Sequence, residues 1–303
     1  MNLKKSLFIL MSFLLIVSAV KFLLFEKEDG IDKFGIREIH NTTAGREWFS
    51  RWDNGHTRSW NSSSNDPDDP EFITAHKGIG SWSTDGLGIL KISGSSPRMY
   101  IMDVEQIKNW HNVEITVYTK RILDDNIIYG GIMAYARTNH YIDANTCDDR
   151  GYGGRFTYDG MIDFEKETVH HADGYVQTES KNYWSNGMPN DEWIGYKFIV
   201  YDIINNTSSN GSVRLELWMD STDGLNGGNW EIVDEFIDNG NNFGTGSITC
   251  KKGINSSLKL TNSDNRTGSE TGKPNLAVYF RSDGVGTDGL WYKKASVREI
   301  EIN

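Results

Sequence analysis

Short runs of alternating or apolar residues recur through residues 45–303, separated by clusters of Gly, Asp and Asn. Each run has the length of a strand and is rich in β-branched and aromatic residues. In the run 213–220, Val213, Leu215 and Leu217 alternate with Arg214 and Glu216, which is typical of a strand with one packed face. The predicted strands are 88–93, 112–122, 131–137, 152–158, 161–170, 193–204, 213–220, 230–237, 276–281 and 295–302.

No stretch beyond residue 25 shows a helical period. The regular strands and turn signals predict an all-β fold, a sandwich or jelly roll of two packed antiparallel sheets. No second domain boundary appears, so we assign residues 45–303 to one β-jelly-roll domain. The Gly/Asn/Asp-rich segments 220–230 and 238–246 are interpreted as hairpin loops. Their carboxylates also suit a structural Ca²⁺, and we predict no other cofactor or metal.

An apolar run occupies residues 6–25, with Lys4 and Lys5 ahead of it and only Lys21 within it. The pattern fits a cleaved signal peptide and equally a retained signal anchor that tethers the protein to a membrane. Nothing in the run is amphipathic, which argues against a buried core helix. Residues 26–44 are expected to be a charged spacer. These features predict a secreted or cell-surface protein.

The composition and net charge of the chain limit the kinds of partner that it can bind. The net charge of −11 argues against nucleic acid and against broad attraction to anionic membranes, and we expect a monomer. Two cysteines are too few for a zinc cluster. Outside the cell, Cys147 and Cys250 form either one disulfide that closes a long loop or two buried thiols.

The candidate chemistry lies in one predicted hairpin, with Asp159 and Gly160 as a two-residue loop between strands 152–158 and 161–171. With Tyr158 opposite Met161, one face carries an acidic row and the other a cationic row. The acidic row is Asp163, Glu165 and Glu167, and the cationic row is Arg155, Lys166 and His170.

Each row suggests a different reaction. Carboxylates two residues apart on a strand approach the spacing used by retaining glycosidases, and their mutual repulsion separates their pKa values. A cationic row binds and neutralises a uronate carboxylate, so that His170 or a tyrosine abstracts the C5 proton. A solvated convex face with cross-strand ion pairs is the structural alternative for both rows.

Three other segments are expected to converge on the same groove. Polar and aromatic side chains at the ends of predicted strands suit both an elimination site and sugar binding, and the excess of tryptophans, Trp184 among them, suits stacking on sugar rings. The candidate residues are Arg98, Tyr100, Tyr135, Arg137, Asn139, His140, His56 and Arg58.

The strand order, the terminal runs 45–52 and 293–302, and the strand around 164–170 resemble the concanavalin A-like lectin/glucanase superfamily. The resemblance implies a jelly roll that acts on polysaccharide. Family 16 glycoside hydrolases carry Glu-x-Asp-x-Glu, where this chain has Asp163-x-Glu165-x-Glu167. Only Arg98 and His170 of this chain match positions of the alginate-lyase motifs. Tyr175 and Tyr279 are the candidates for the catalytic tyrosine of those enzymes.

We therefore expect an extracellular polysaccharide-degrading enzyme, with a lyase that acts on a uronate-containing glycan favoured. The alternatives are a glycoside hydrolase that uses Glu165 and Glu167 and a non-catalytic lectin or adhesion module on the same fold. The expected partners are a polysaccharide and, through the N-terminal segment, a membrane.

Overall fold

The computed structural model describes residues 30–69, 72–73, 76–103, 105, 108–140, 150–167, 175–203, 211–243, 257, 259–261 and 277–302. The apolar run 6–25, both cysteines and His170 lie outside these residues, so the interpretations placed on them stay predictions. Among the described residues, no helix has the length and apolar character needed to cross a membrane.

The strands of the described residues form two sheets of nine, and every pairing between them is antiparallel. The first sheet consists of β1 (Thr42–Phe49), β2 (Arg58–Asn61), β5 (Ser81–Thr84), β6 (Ile89–Gly94), β8 (Val113–Arg121), β14 (Trp193–Ile203), β15 (Ser212–Asp220), β16 (Glu231–Asp238) and β18 (Gly286–Ile300). The second consists of β3 (Phe72–Ile73), β4 (His76–Lys77), β7 (Arg98–Asp103), β9 (Gly131–Thr138), β10 (Gly151–Thr157), β11 (Met161–Glu167), β12 (Tyr175–Gln177), β13 (Lys181–Asn182) and β17 (Ala277–Arg281).

The chain crosses repeatedly between the sheets. The first sheet runs β16-β15-β14-β8-β18-β6-β5-β2, with β1 also paired to β18. The second runs β12-β11-β10-β9-β17-β7-β3, so β9 lies between β10 and β17, far apart in sequence. This arrangement of two packed antiparallel sheets confirms the predicted all-β jelly-roll sandwich.

One continuous set of buried apolar side chains fills the space between the sheets. Phe198 and Leu217 of the first sheet pack against the second, where Gly154 leaves room for them: an added Cβ at Gly154 would lie 2.7 Å from the Phe198 ring. Alternation along each strand then sends the intervening side chains to the outer faces. The outer face of the second sheet carries the candidate site.

A buried ion pair joins the two sheets at one end of the core. Lys166 of β11 is fully buried, and its Nζ lies 2.7 Å from Asp238 Oδ2 of β16. Tyr152 donates to the same carboxylate oxygen at 2.6 Å. Burial lowers the pKa of Lys166, and Asp238 opposes that shift. Lys166 therefore faces the interior and does not line a groove, contrary to the sequence interpretation.

A second buried ionic cluster lies on the outer face of the first sheet. Glu114 binds Lys197 at 2.6 Å and Arg298 at 2.8 Å. Burial raises the pKa of Glu114, but the two cations outweigh that effect and hold it below its ordinary value. The backbone N–H groups of Ile39 and His40 donate to the same carboxylate at 3.1 and 3.2 Å. Part of the segment 26–44 is thus packed against this sheet.

We predict that Lys166→Met destabilises the fold by about 3–5 kcal/mol, because it leaves the Asp238 carboxylate buried without its cation. Lys181→Met is the matched control, since Lys181 pairs with Asp234 between the same two sheets but is 58% exposed. The control should cost at most about 1 kcal/mol. Urea unfolding measures both, and equal losses would contradict the assignment of Lys166 to the interior.

Candidate functional site

The β10–β11 hairpin pairs in a register one residue away from the predicted one. Arg155 lies opposite Asp163, and the Gly160 N–H donates to the Thr157 carbonyl at 2.9 Å. Tyr158 therefore belongs to a three-residue loop, and the predicted two-residue loop is wrong. Because successive side chains alternate between faces, a slip of one residue changes which side chains of the two strands meet.

The new register brings Arg155 of the predicted cationic row onto the face of the acidic row. Arg155 shares the outer face with Asp163, Glu165 and Glu167, while Lys166 turns inward. The predicted separation of an acidic face from a cationic face is therefore wrong. His170 lies outside the described residues, and its role stays a prediction.

A continuous row of side chains crosses six strands of the second sheet on this face. Its members are direct cross-strand neighbours: Tyr100, Tyr279, Tyr135, Gly153, Glu165 and Gln177 on β7, β17, β9, β10, β11 and β12. The row joins an aromatic half to a polar half, and Gly153 lies at the junction.

The aromatic half is a stack of three tyrosines. The Tyr135 and Tyr279 rings lie 4.8 Å apart and within 4° of parallel, and Tyr100 stacks on Tyr279 at 4.5 Å. Glycine at 153 lets Tyr135 lean across β10, since an added Cβ would lie 3.2 Å from its ring and 3.1 Å from Met133 Sδ. The Tyr135 hydroxyl then donates to Glu165 on the far side of β10.

Glu165 is the centre of the polar half. Arg281 and Arg155 place guanidinium nitrogens 3.5 and 3.6 Å from its carboxylate oxygens, and the Gln177 amide donates to it at 3.5 Å. Glu165, Gln177 and the two arginines line a cavity of about 290 Å³. The site therefore presents a carboxylate, two guanidinium groups and an amide to one space.

The burial and the charges around Tyr135 keep its hydroxyl protonated, so that it remains a hydrogen-bond donor. Burial raises the pKa of Tyr135 well above its ordinary value, and Glu165 and Glu167 raise it further. Burial lowers the pKa of Arg281, but Tyr135 and Glu165 reverse that effect and raise it well above the ordinary value. The result is a protonated tyrosine and a cationic arginine beside one carboxylate.

The three arginines described on this face, Arg98, Arg155 and Arg281, are each paired with a carboxylate. Arg155 binds Asp163 through two nitrogens at 2.5 and 2.7 Å. Arg98 and Arg281 share Asp283 at 2.8 and 3.1 Å. Positive and negative groups thus largely cancel across the site.

A second carboxylate lies two residues beyond Glu165. Glu167 Oε2 is 2.6 Å from His140 Nε2, and both side chains are buried. The His140 ring lies 5.7 Å from Tyr279 and 6.1 Å from Tyr135. The structure therefore brings His140, Glu165, Glu167 and Tyr135 together on one face.

A bulge removes two predicted residues from this face. β9 and β17 lose register between Ala277 and Tyr279, and Arg137 has a left-handed φ of 56°. Arg137 is consequently turned away and binds Asp202 of the first sheet at 2.5 Å. Asn139 is buried, and its side chain accepts from the Arg150 N–H at 2.9 Å. Their predicted roles as groove residues do not fit these positions.

Other predicted residues lie elsewhere. Trp184 packs edge-on against Phe156 at the hairpin turn, 5.3 Å between ring centres, and does not reach the Glu165 cavity. Arg58 binds Asp66 at 2.5 Å at the edge of the first sheet. His56 lies 3.1 Å from Asp68 beside it, so neither residue reaches the candidate site. Tyr175, by contrast, lies next to the site at the backbone level, opposite Glu167 in the β11–β12 pairing.

Sequence reasoning missed several members of the site. Arg281, Gln177 and Asp283 all lie at the cavity, and none was among the candidates. Strand alternation in the run 276–281 offered a signal for Arg281, because Tyr279 and Arg281 share a face. Gln177 follows a segment without a strand pattern, so nothing local pointed to it.

The loop expected to hold Ca²⁺ is organised by protein groups. Asp220 accepts from the backbone N–H groups of Thr222, Gly224 and Asn229 at 2.9 Å each and from the Tyr118 hydroxyl at 2.7 Å. Among the described residues no group of three His, Cys, Asp or Glu side chains is arranged for a metal ion. A structural calcium stays a prediction.

No family model matches this chain, and no curated protein matches it. Its structure is similar to the Ca²⁺-bound VIP36 exoplasmic/lumenal domain, at 11% identity and a TM-score of 0.40 over 84% of this chain and 93% of that one. It is also similar to the metal-free Emp46p carbohydrate recognition domain, at 8% identity and a TM-score of 0.41 over 84% of this chain and 100% of that one.

A legume lectin-like domain from Entamoeba histolytica is similar too, at 9% identity and a TM-score of 0.36 over 72% of this chain and 85% of that one. Identities and TM-scores this low carry no argument about what the present chain binds. The function must therefore be argued from the site.

We predict that Gly153→Ala lowers the free energy of unfolding by about 1–3 kcal/mol, because the new methyl group crowds the Tyr135 ring and Met133. In a Tyr135→Ala background the same change should cost much less, since the crowded ring is gone. Urea unfolding of the four proteins measures this coupling. Equal costs in both backgrounds would show that Tyr135 does not lie over Gly153.

Proposed function

We propose that the outer face of the second sheet binds a glycan chain at Glu165. The observation that supports this most directly is the convergence of Glu165, Arg155, Arg281 and Gln177 on one cavity of about 290 Å³. Sugar hydroxyls both donate and accept hydrogen bonds. A carboxylate, guanidinium groups and an amide held close together match vicinal hydroxyls, and charge-assisted bonds of this kind are the strong ones.

The rim of the cavity adds an aromatic ring. Tyr129 lines the cavity and is 65% exposed. A tyrosine in this position offers an apolar face with a polar tip, which suits the mixed surface of a sugar ring. Pockets that combine a few convergent polar groups with an aromatic side chain are typical of small-ligand sites.

The charge pairing favours a neutral glycan over a uronate. Arg155 is already bound to Asp163, and Arg98 and Arg281 to Asp283. A uronate carboxylate would have to displace one of these partners while also approaching Glu165. The β-elimination favoured by the sequence is accordingly the weaker proposal, because it needs an arginine that is available to neutralise the substrate.

The location of the protein is proposed from the sequence. Residues 1–25 favour export or a membrane tether with residues 45–303 outside the cell. Outside the cell, these residues would meet polysaccharide. A monomer remains our expectation for the domain.

We predict that Glu165→Gln weakens binding of neutral polysaccharide about 10–100-fold, because it removes the charge that strengthens the hydrogen bonds at the cavity. Glu179→Gln is the control, since Glu179 is exposed on the segment after β12 and does not line the cavity. Titration calorimetry with laminarin, glucuronan and alginate measures both variants. An unchanged affinity in Glu165→Gln would remove the cavity as the binding site.

Hydrolysis is a second candidate, favoured by one observation. Glu165 and Glu167 are on the same face, about 7 Å apart at the backbone, and their surroundings differ. Glu165 is ringed by Tyr135 and two arginines, whereas Glu167 pairs with His140. Two carboxylates in different environments can divide the roles of nucleophile and acid.

For hydrolysis we predict new reducing ends from laminarin and a loss of at least about 10²-fold in rate for both Glu165→Gln and Glu167→Gln. Circular dichroism of the variants confirms that the fold is retained. Binding without any reducing ends leaves a non-catalytic lectin. Ultraviolet absorbance from an unsaturated product would contradict hydrolysis and support elimination.

A further inference from the structure

A second and larger cavity lies beside the hairpin loop of residues 158–160. It measures about 660 Å³ and is formed by the segment 121–126 and the segment 183–190. None of its lining residues lines the Glu165 cavity. It is therefore a separate space on the molecule.

Its floor is rigid. Arg121 binds Asp124 through two nitrogens at 2.9 and 2.5 Å. A third nitrogen of Arg121 donates to the carbonyls of Tyr158 and Met188, at 3.1 Å each. One guanidinium group thus ties the hairpin loop to both segments that form the cavity. Arg121 and Asp124 also cancel each other, so the lining has no net charge.

Its wall holds an exposed aromatic ring. Tyr183 is 38% exposed, and its ring stands nearly perpendicular to Trp184, 4.9 Å between centres. Trp184 in turn packs on Phe156 of the core. A tyrosine supported in this way presents apolar area with little conformational freedom to lose on binding. Asn126, Ser185 and Asn186 line the same cavity with amide and hydroxyl groups.

The two cavities flank the same short loop. On one side, the N–H groups of Tyr158 and Asp159 donate to the carbonyls of Gly130 and Ile128, next to Tyr129 at the Glu165 cavity. On the other side, the Trp184 N–H donates to the Gly160 carbonyl at 3.1 Å. The same three-residue loop is thus hydrogen-bonded to a segment of each cavity, so a glycan chain that crosses this loop would meet both.

We propose that the Tyr183 cavity is a second sugar-binding subsite, which holds neutral sugar units of the same chain that occupies the Glu165 cavity. This inference rests on the proposed function of the Glu165 cavity. The neutral, hydroxyl- and amide-rich lining and the exposed ring select an uncharged sugar. The subsite extends the binding surface across the hairpin loop, so it acts only on chains long enough to reach both cavities.

The test is the dependence of affinity on chain length. Laminarin oligosaccharides from disaccharide to octasaccharide are titrated into the full-length protein and into Tyr183→Ala. We expect Tyr183→Ala to bind the longest oligosaccharides about tenfold more weakly and the disaccharide equally well, because the aromatic contact is made only by distant units. Tyr183→Phe is the control and should match the wild type, since it keeps the ring.

The outcomes separate the two proposals. If Tyr183→Ala binds every length as the wild type does, the second subsite is overturned and the Glu165 cavity stands. If Tyr183→Ala weakens the disaccharide as much as the octasaccharide, Tyr183 belongs to the primary site and the subsite is again overturned. If the wild type binds no oligosaccharide of the series while Tyr183→Ala and Tyr183→Phe remain folded by circular dichroism, the proposed glycan function itself fails.

Discussion

The register of the β10–β11 hairpin is the constraint on which the candidate site depends. With Arg155 opposite Asp163, the acidic row and its cation share the outer face, and Lys166 is committed to the interior. Any slip by one residue would turn these carboxylates toward the apolar space between the sheets and the apolar side chains of β11 outward. The Lys166–Asp238 pair opposes such a slip, because it holds β11 against β16 in the other sheet.

The lack of a side chain at Gly153 is as important to the site as the side chains around it. Gly153 allows the Tyr135 ring to cross β10, and the Tyr135 hydroxyl then reaches Glu165. Glycine within a strand usually weakens it and marks a close approach of other groups. Here the close approach connects the stacked tyrosines to the polar half of the site. Gly153 thus weakens β10 locally but permits one defined hydrogen-bonded arrangement around Glu165.

Among the described residues, buried charges are compensated on the outer faces of both sheets. Glu114 is bound by Lys197 and Arg298 on one outer face, and Asp163 by Arg155 on the other. Buried charges are tolerated only when paired in this way. The same rule shapes the function, because arginines that already hold carboxylates are poor receptors for an anionic sugar. The proposed preference for neutral glycans follows from the pairing and not from the net charge.

The sequence by itself determined the sandwich class and ten of the eighteen strands described, and it made Glu165, Glu167, Tyr135 and His140 candidates, because alternation and residue chemistry are local. Only the tertiary structure decided the register that placed Arg155 beside Asp163, the packing that turned Lys166 toward Asp238, the bulge that turned Arg137 toward Asp202, and the partnership of Glu165 with Arg281. These depend on strands far apart in the chain and on a loop one residue longer than predicted. Local sequence patterns carry no information about the pairing of distant strands or about the length of this loop. The pairing is fixed by packing of the whole sandwich.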